Sequence, residues 1–141
     1  MSGAKAPPML RKDQGRALDA YRWAEGAKKV GHLKEFEIAV QSFAASLLRS
    51  GLAVAAAVLE RDRKRPAVER LLGNLASHMV PGIDSRQVTG TSWPASVRAI
   101  ADTSHYMLAT REYIALTTWL RRACRALGEE PEPSDEAGAA P

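Results

Sequence analysis

Residues 106–127, YMLATREYIALTTWLRRACRAL, decide how this chain folds. Tyr106, Ala109, Tyr113, Leu116, Leu120, Ala123 or Cys124, and Leu127 recur at spacings of three and four, the period of a helix with one face turned to a core. With about 100° per residue and Tyr106 at zero, this stripe covers about 260° to 0°. Arg121, Arg125, Arg111 and Arg122 fall at about 60°, 100°, 140° and 160°. The pattern predicts a long last helix over about 104–128, with an apolar inner face and four arginines outside. Asp102, Thr103 and Ser104 are candidate caps for its start.

Upstream, helix formers dominate and no β-branched or aromatic run alternates with period two, so an all-α fold is expected. A first helix is read over about Leu10–Lys29, with Ala17, Leu18, Tyr21 and Ala24 on its core face and Gly26 and Gly31 at its end. A second starts near Leu33 and carries Phe36, Val40, Phe43 and Leu47 as its stripe. Ser50-Gly51 interrupts it before LAVAAAVLERDRK, a third helix with small residues that permit close helix approach. Pro66 suits the first turn of a fourth, whose apolar face holds Leu71, Leu72, Leu75 and Met79. Residues 81–93 form the one long loop, after which Ser92 is a candidate N-cap for a short helix with Pro94, Val97 and Ile100. The expected architecture is a compact bundle of about six helices ending in a long one. Residues 1–9 are read as a flexible arm because Pro7 and Pro8 bar helix, 10–128 as a single helical domain, and 129–141 as a disordered acidic tail.

Charge gives this layout a direction. The chain of 141 residues carries 20 Lys+Arg and 16 Asp+Glu, a formal net charge of +4. Glu129, Glu130, Glu132, Asp135 and Glu136 all lie in the tail, where there is no Lys or Arg, so residues 1–128 hold 20 cations against 11 acids, or +9. A polyanion is the partner such a body favours. A domain of this length buries roughly two-thirds of its unfolded surface and needs no disulfide or structural metal. Cys124 is the single cysteine, so no intrachain disulfide forms and a reducing cytoplasm is the expected location. The longest near-apolar stretch, Gly51–Leu59, is far short of the roughly 20 residues a membrane span needs. Residues 1–12 carry Pro and Lys without an apolar core segment, so no signal peptide is expected.

Candidate chemistry follows from the same residues. The arginines of the last helix, Arg111, Arg121, Arg122 and Arg125, can grip phosphates with paired hydrogen bonds; the plainer alternative is a solvated face whose C-terminal cations favour the helix dipole. A second basic element, Arg61, Arg63, Lys64, Arg65 and Arg70, is tempered by Glu60, Asp62 and Glu69, and its plainer reading is helix-end charge paired locally. Lys28, Lys29 and Lys34 make a third. None of these reads bases, so salt-sensitive backbone contacts are expected. A helix-turn-helix with Gly51 in its turn is disfavoured, because Leu52–Leu59 offers no donor or acceptor to a major groove. His32, His78 and His105 are scattered without metal-ligand spacing, and no phosphate-cradling glycine loop occurs, so neither metal nor cofactor is expected and the chain is read as non-enzymatic. His105 is placed at the edge of the buried arc, and Cys124 on the core face as a small hydrophobe. Glu112 has Arg111 as its one charged neighbour on its own turn, and no acid–base pair stands out. Trp23 and Trp119 lie off the apolar rows; the plainer reading is that each covers the edge of the core, and the alternative for either, if exposed, is to anchor a protein interface or stack on a base.

The run Tyr106-x-x-Ala109-Thr110-Arg111-Glu112-x-x-Ala115-Leu116-x-x-Trp119-Leu120-Arg121-Arg122-x-Cys124 resembles the last-helix signature of the small helical subunit of type III-B CRISPR effector complexes, the Cmr (RAMP module) small subunit. Leu47-Leu48-x-x-Gly51-Leu52-x-x-Ala55-x-Ala57-x-Leu59 and Ala17-x-x-Ala20-Tyr21 fit in order and spacing, and the likeness spans about residues 14–127. Met107-Leu108 and Thr117-Thr118 depart from the pattern. The resemblance implies a non-catalytic subunit for antiviral defence, which stacks in copies beside the backbone subunits that carry crRNA and cleave target RNA. Its implied partners are the other Cmr subunits, crRNA and target RNA, with no membrane. Arg111, Arg121 and Arg122 fall on motif positions. The alternative is an adaptor that contacts only protein.

Overall fold

The computed structural model describes residues 8–129, with side chains from Lys12 onward. Six helices follow in order: α1 (Pro8–Lys29), α2 (Leu33–Ser50), α3 (Leu52–Arg61), α4 (Pro66–Ser77), α5 (Trp93–Arg98) and α6 (Thr103–Gly128). Among the described residues the only extended pairing is an isolated bridge between Val80 and Ile83. The chain is thus all-α, with the long C-terminal helix that the sequence predicts.

The long helix organises the rest because its apolar arc is continuous. Ala109, Tyr113, Leu116, Leu120, Ala123, Cys124 and Leu127 are buried along α6, which packs against both α1 and α2. The Asp102 side chain accepts a hydrogen bond from the His105 backbone N–H at 3.1 Å, satisfying one of the donors that a helix start leaves unpaired. α2 packs in turn on α3 and α4, and α3 on α5. At the centre Trp93 Nε1 donates to Tyr113 Oη at 3.0 Å, and Phe43 meets both rings edge-on. That bond gives the two buried polar atoms each other as partners.

Two junctions explain how helices with so few loop residues turn. Gly31, at φ +79°, closes α1: the His32 N–H reaches Ala27 O at 2.8 Å and the Gly31 N–H reaches Lys28 O at 3.0 Å, the paired bonds of a Schellman ending. Gly51, at φ +90°, separates α2 from α3. There Tyr106 of α6 accepts a hydrogen bond from the Ala53 backbone N–H at 2.9 Å, so the start of α6 is fastened to the start of α3.

Several expectations are corrected. α1 begins at Pro8, so the last two residues of the expected arm are helical; proline is tolerated in a first turn, whose N–H groups have no partner within the helix. Its buried row is Ala20, Trp23, Ala24 and Ala27, while Leu18 is 71% exposed and Tyr21 is 36% exposed. The inner face is therefore turned by about one residue, roughly 100°, from the predicted one. Trp23 consequently lies in the core rather than at an interface. Met79 lies past the end of α4 and is 80% exposed. Ser92 does not cap α5 through its side chain; its Oγ instead accepts from the Thr89 N–H at 2.9 Å. The long loop is held against α4: a Cβ on Gly90 would meet the Gly73 backbone nitrogen at 2.9 Å. The remainder of the arm, residues 1–7, and residues 130–141 of the acidic tail lie outside the described residues.

Candidate nucleic-acid interface

Since α6 buries one arc against α1 and α2, its opposite side faces outward. Arg111, Arg121, Arg122 and Arg125 are all exposed there, over a length of about 21 Å at the helical rise. Glu112 is the one acid within α6, and it turns inward toward α1. Among the described residues none of the four guanidiniums is in an ion pair. Arg121, Arg122 and Arg125 line a shallow open depression with Thr118, Ala126 and Glu129. The Arg122 guanidinium lies over the Trp119 ring, 5.1 Å from its centroid. Trp119 is half-buried, and its Nε1 donates to Asp13 Oδ1 at 3.4 Å.

The second basic element has a different character. Arg61 pairs with Asp62 at 3.1 Å, Arg63 with Glu60 at 3.5 Å, and Arg98 reaches the same Glu60 at 2.9 Å. The hydrogen bond from Arg61 is the leading cause that holds the Asp62 carboxyl below its ordinary range. Lys64 and Arg65 are exposed beside these pairs, and Arg65 is the residue before α4. Of the lysine cluster, Lys28 donates from Nζ to Leu127 O at 2.9 Å, satisfying a carbonyl at the end of α6. Gly26 of α1 lies against Arg70 of α4, with 3.3 Å from a built Cβ to Nη1, and Gly128 lies beside Leu33. The ends of α1 and α6 and the starts of α2 and α4 therefore gather at one end of the bundle. Glu35, Asp62 and Glu69 are interspersed with the cations there.

One constellation was not foreseen. Arg16 of α1 grips Glu112 of α6 with two bonds, Nε to Oε2 at 3.0 Å and Nη2 to Oε1 at 2.8 Å, and Arg16 Nη1 donates to Asp13 at 2.9 Å. His78, buried just after α4, places Nε2 2.8 Å from Glu112 and Nδ1 3.3 Å from Asp19. Burial pushes the Glu112 carboxyl up, but the bonds from His78 and Arg16 outweigh it and hold the group at about 2. The His78 ring is packed edge-on against Trp23. Its position, enclosed between α1, α4 and α6, gives this network the geometry of a fastener between helices. A signal existed in the sequence: Glu112 falls at about 240° on the wheel, beside the buried arc, where a carboxylate requires a partner.

The remaining candidates are placed as follows. His105 is exposed in the first turn of α6 instead of partly buried. Cys124 is fully buried, and that burial pushes its thiol up to about 12, so it is protonated and packs as a small hydrophobe. Among the described residues no group of three His, Cys, Asp or Glu could hold a metal ion, and no helix is long and apolar enough to cross a membrane.

A family model described as CRISPR-associated protein (Cas_Cmr5) matches residues 12–127. No curated protein and no solved structure gives a significant match.

Proposed function

The chain belongs to the Cas_Cmr5 family of CRISPR-associated proteins, and from that premise we propose that it is a non-catalytic structural subunit of a type III-B RNA-guided, RNA-targeting effector complex, with the outer face of α6 turned to the guide–target RNA backbone. One observation carries the RNA contact: the four α6 arginines are exposed without an ion pair among the described residues, whereas Arg61 and Arg63 are paired with neighbouring acids. Unpaired guanidiniums along one face supply phosphate affinity without base readout. Arg61, Arg63, Lys64 and Arg65 are then secondary contacts. The working partners are the other Cmr subunits, crRNA and target RNA in the cytoplasm, with copies of the chain stacking in the complex.

The test is RNA binding by the full chain at rising salt. A steep salt slope is expected for the wild type, and Arg111→Ala with Arg122→Ala should flatten it by about 1.5. If the double variant binds and assembles as the wild type does, the arginine-face reading is lost. The second reading, an adaptor that touches only protein, is favoured by the apolar outer side of α3, where Ala53, Val54, Ala57 and Val58 line a shallow surface. Copurification with the other subunits that survives nuclease and high salt distinguishes it.

A further inference from the structure

Trp119 and Arg122 do more than add charge and apolar area to α6. The guanidinium lies 5.1 Å over the indole, and the indole is itself fixed: its Nε1 is bonded to Asp13, which is bonded to Arg16, which grips Glu112. Arg122 is exposed, so its guanidinium meets the ring and stays open to solvent. Arg121 and Arg125 line the same open depression. A phosphate site needs charge and donors, which a lysine or a mobile arginine supplies. A guanidinium held over a ring offers in addition a planar surface on which a nucleobase can stack. Within a duplex the base faces are covered by their neighbours, so only an unpaired nucleotide has a face to offer.

We propose that the Trp119–Arg122 pair is a nucleobase subsite, which takes one unpaired RNA base on the exposed Arg122 guanidinium while Arg121 and Arg125 hold the adjoining phosphates. The subsite rests on the reading of α6 as an RNA-facing helix and adds to it a preference for unpaired nucleotides. Every base has a face of this kind, so the subsite does not select base identity.

The probe is a short RNA with 2-aminopurine at a central position, used single-stranded and, with its complement, fully paired. The full chain should quench the unpaired probe at saturation and leave the paired one unchanged. Arg122→Lys keeps the charge; it should preserve the salt slope, lose the quench and weaken single-strand binding at least about fivefold. Arg111→Ala should weaken binding of both RNAs while leaving the quench at saturation intact. RNA bound without quenching by the wild type, or quenched equally by Arg122→Lys, overturns the subsite and leaves the RNA-facing reading standing. No binding of either RNA overturns both.

Discussion

At Glu112 two opposing effects meet, and their balance sets a pH window. Burial disfavours the carboxylate, yet the bonds from His78 and Arg16 lower the group from 4.5 to about 2. A depressed acid contributes stability that is fully present above its ordinary value and lost as pH falls through the folded one. Melting temperature should therefore fall between about pH 4.5 and 2. Glu112→Gln leaves Arg16 and His78 short of a partner and should cost about 2–3 kcal/mol at neutral pH. The deficit relative to wild type should shrink in urea melts at pH 3; an equal deficit at both pH values would sink this account. Tyr106→Phe removes the acceptor for the Ala53 N–H, and a loss of about 1 kcal/mol in the same melts is expected.

Between elements, backbone contacts decide more than side chains do. A methyl group at Gly90 would lie 2.9 Å from the nitrogen and 3.1 Å from the Cα of Gly73, and neither backbone atom can move without bending α4 or lifting the loop. Gly90→Ala should destabilise the chain by about 1–3 kcal/mol. Protection of the 80–92 amides from hydrogen exchange should fall with it, and unchanged protection would show that the contact does not hold the loop. Asp102→Ala removes the side-chain cap of α6 at a cost of about 1 kcal/mol, read as a lower urea midpoint with unchanged slope.

For the molecule as a whole, charge separation is the feature with a measurable consequence. Residues 1–128 carry +9 and residues 129–141 carry −5, and α6 ends in the arginine-lined depression where Glu129 stands. Attached acids compete with RNA for such a surface, most strongly at low salt. Deleting residues 129–141 should tighten RNA binding at low salt and have little effect near 1 M, where the screening length is about 3 Å. Unchanged affinity at low salt would dispose of the competition.

The helical class, the α6 stripe, the Asp102 cap and the buried Cys124 were legible because each depends on residues within a few positions of one another, where helical periodicity and capping act. The outward arginines followed from the same wheel. The inner row of α1 was not legible. Arg16 and Asp19 turn inward to meet Glu112 and His78, 96 and 59 positions away, and this carries Trp23 into the core and Leu18 to the surface. The local pairing of Arg61 and Arg63 was legible from the acids beside them, Asp62 and Glu60, whereas the loss of Glu112, the one helical acid of α6, to α1 was not. Local spacing settles which residues can be helical and which face is apolar; which polar groups find each other across the bundle is settled by packing, because a buried charge takes its partner from whichever helix is brought against it.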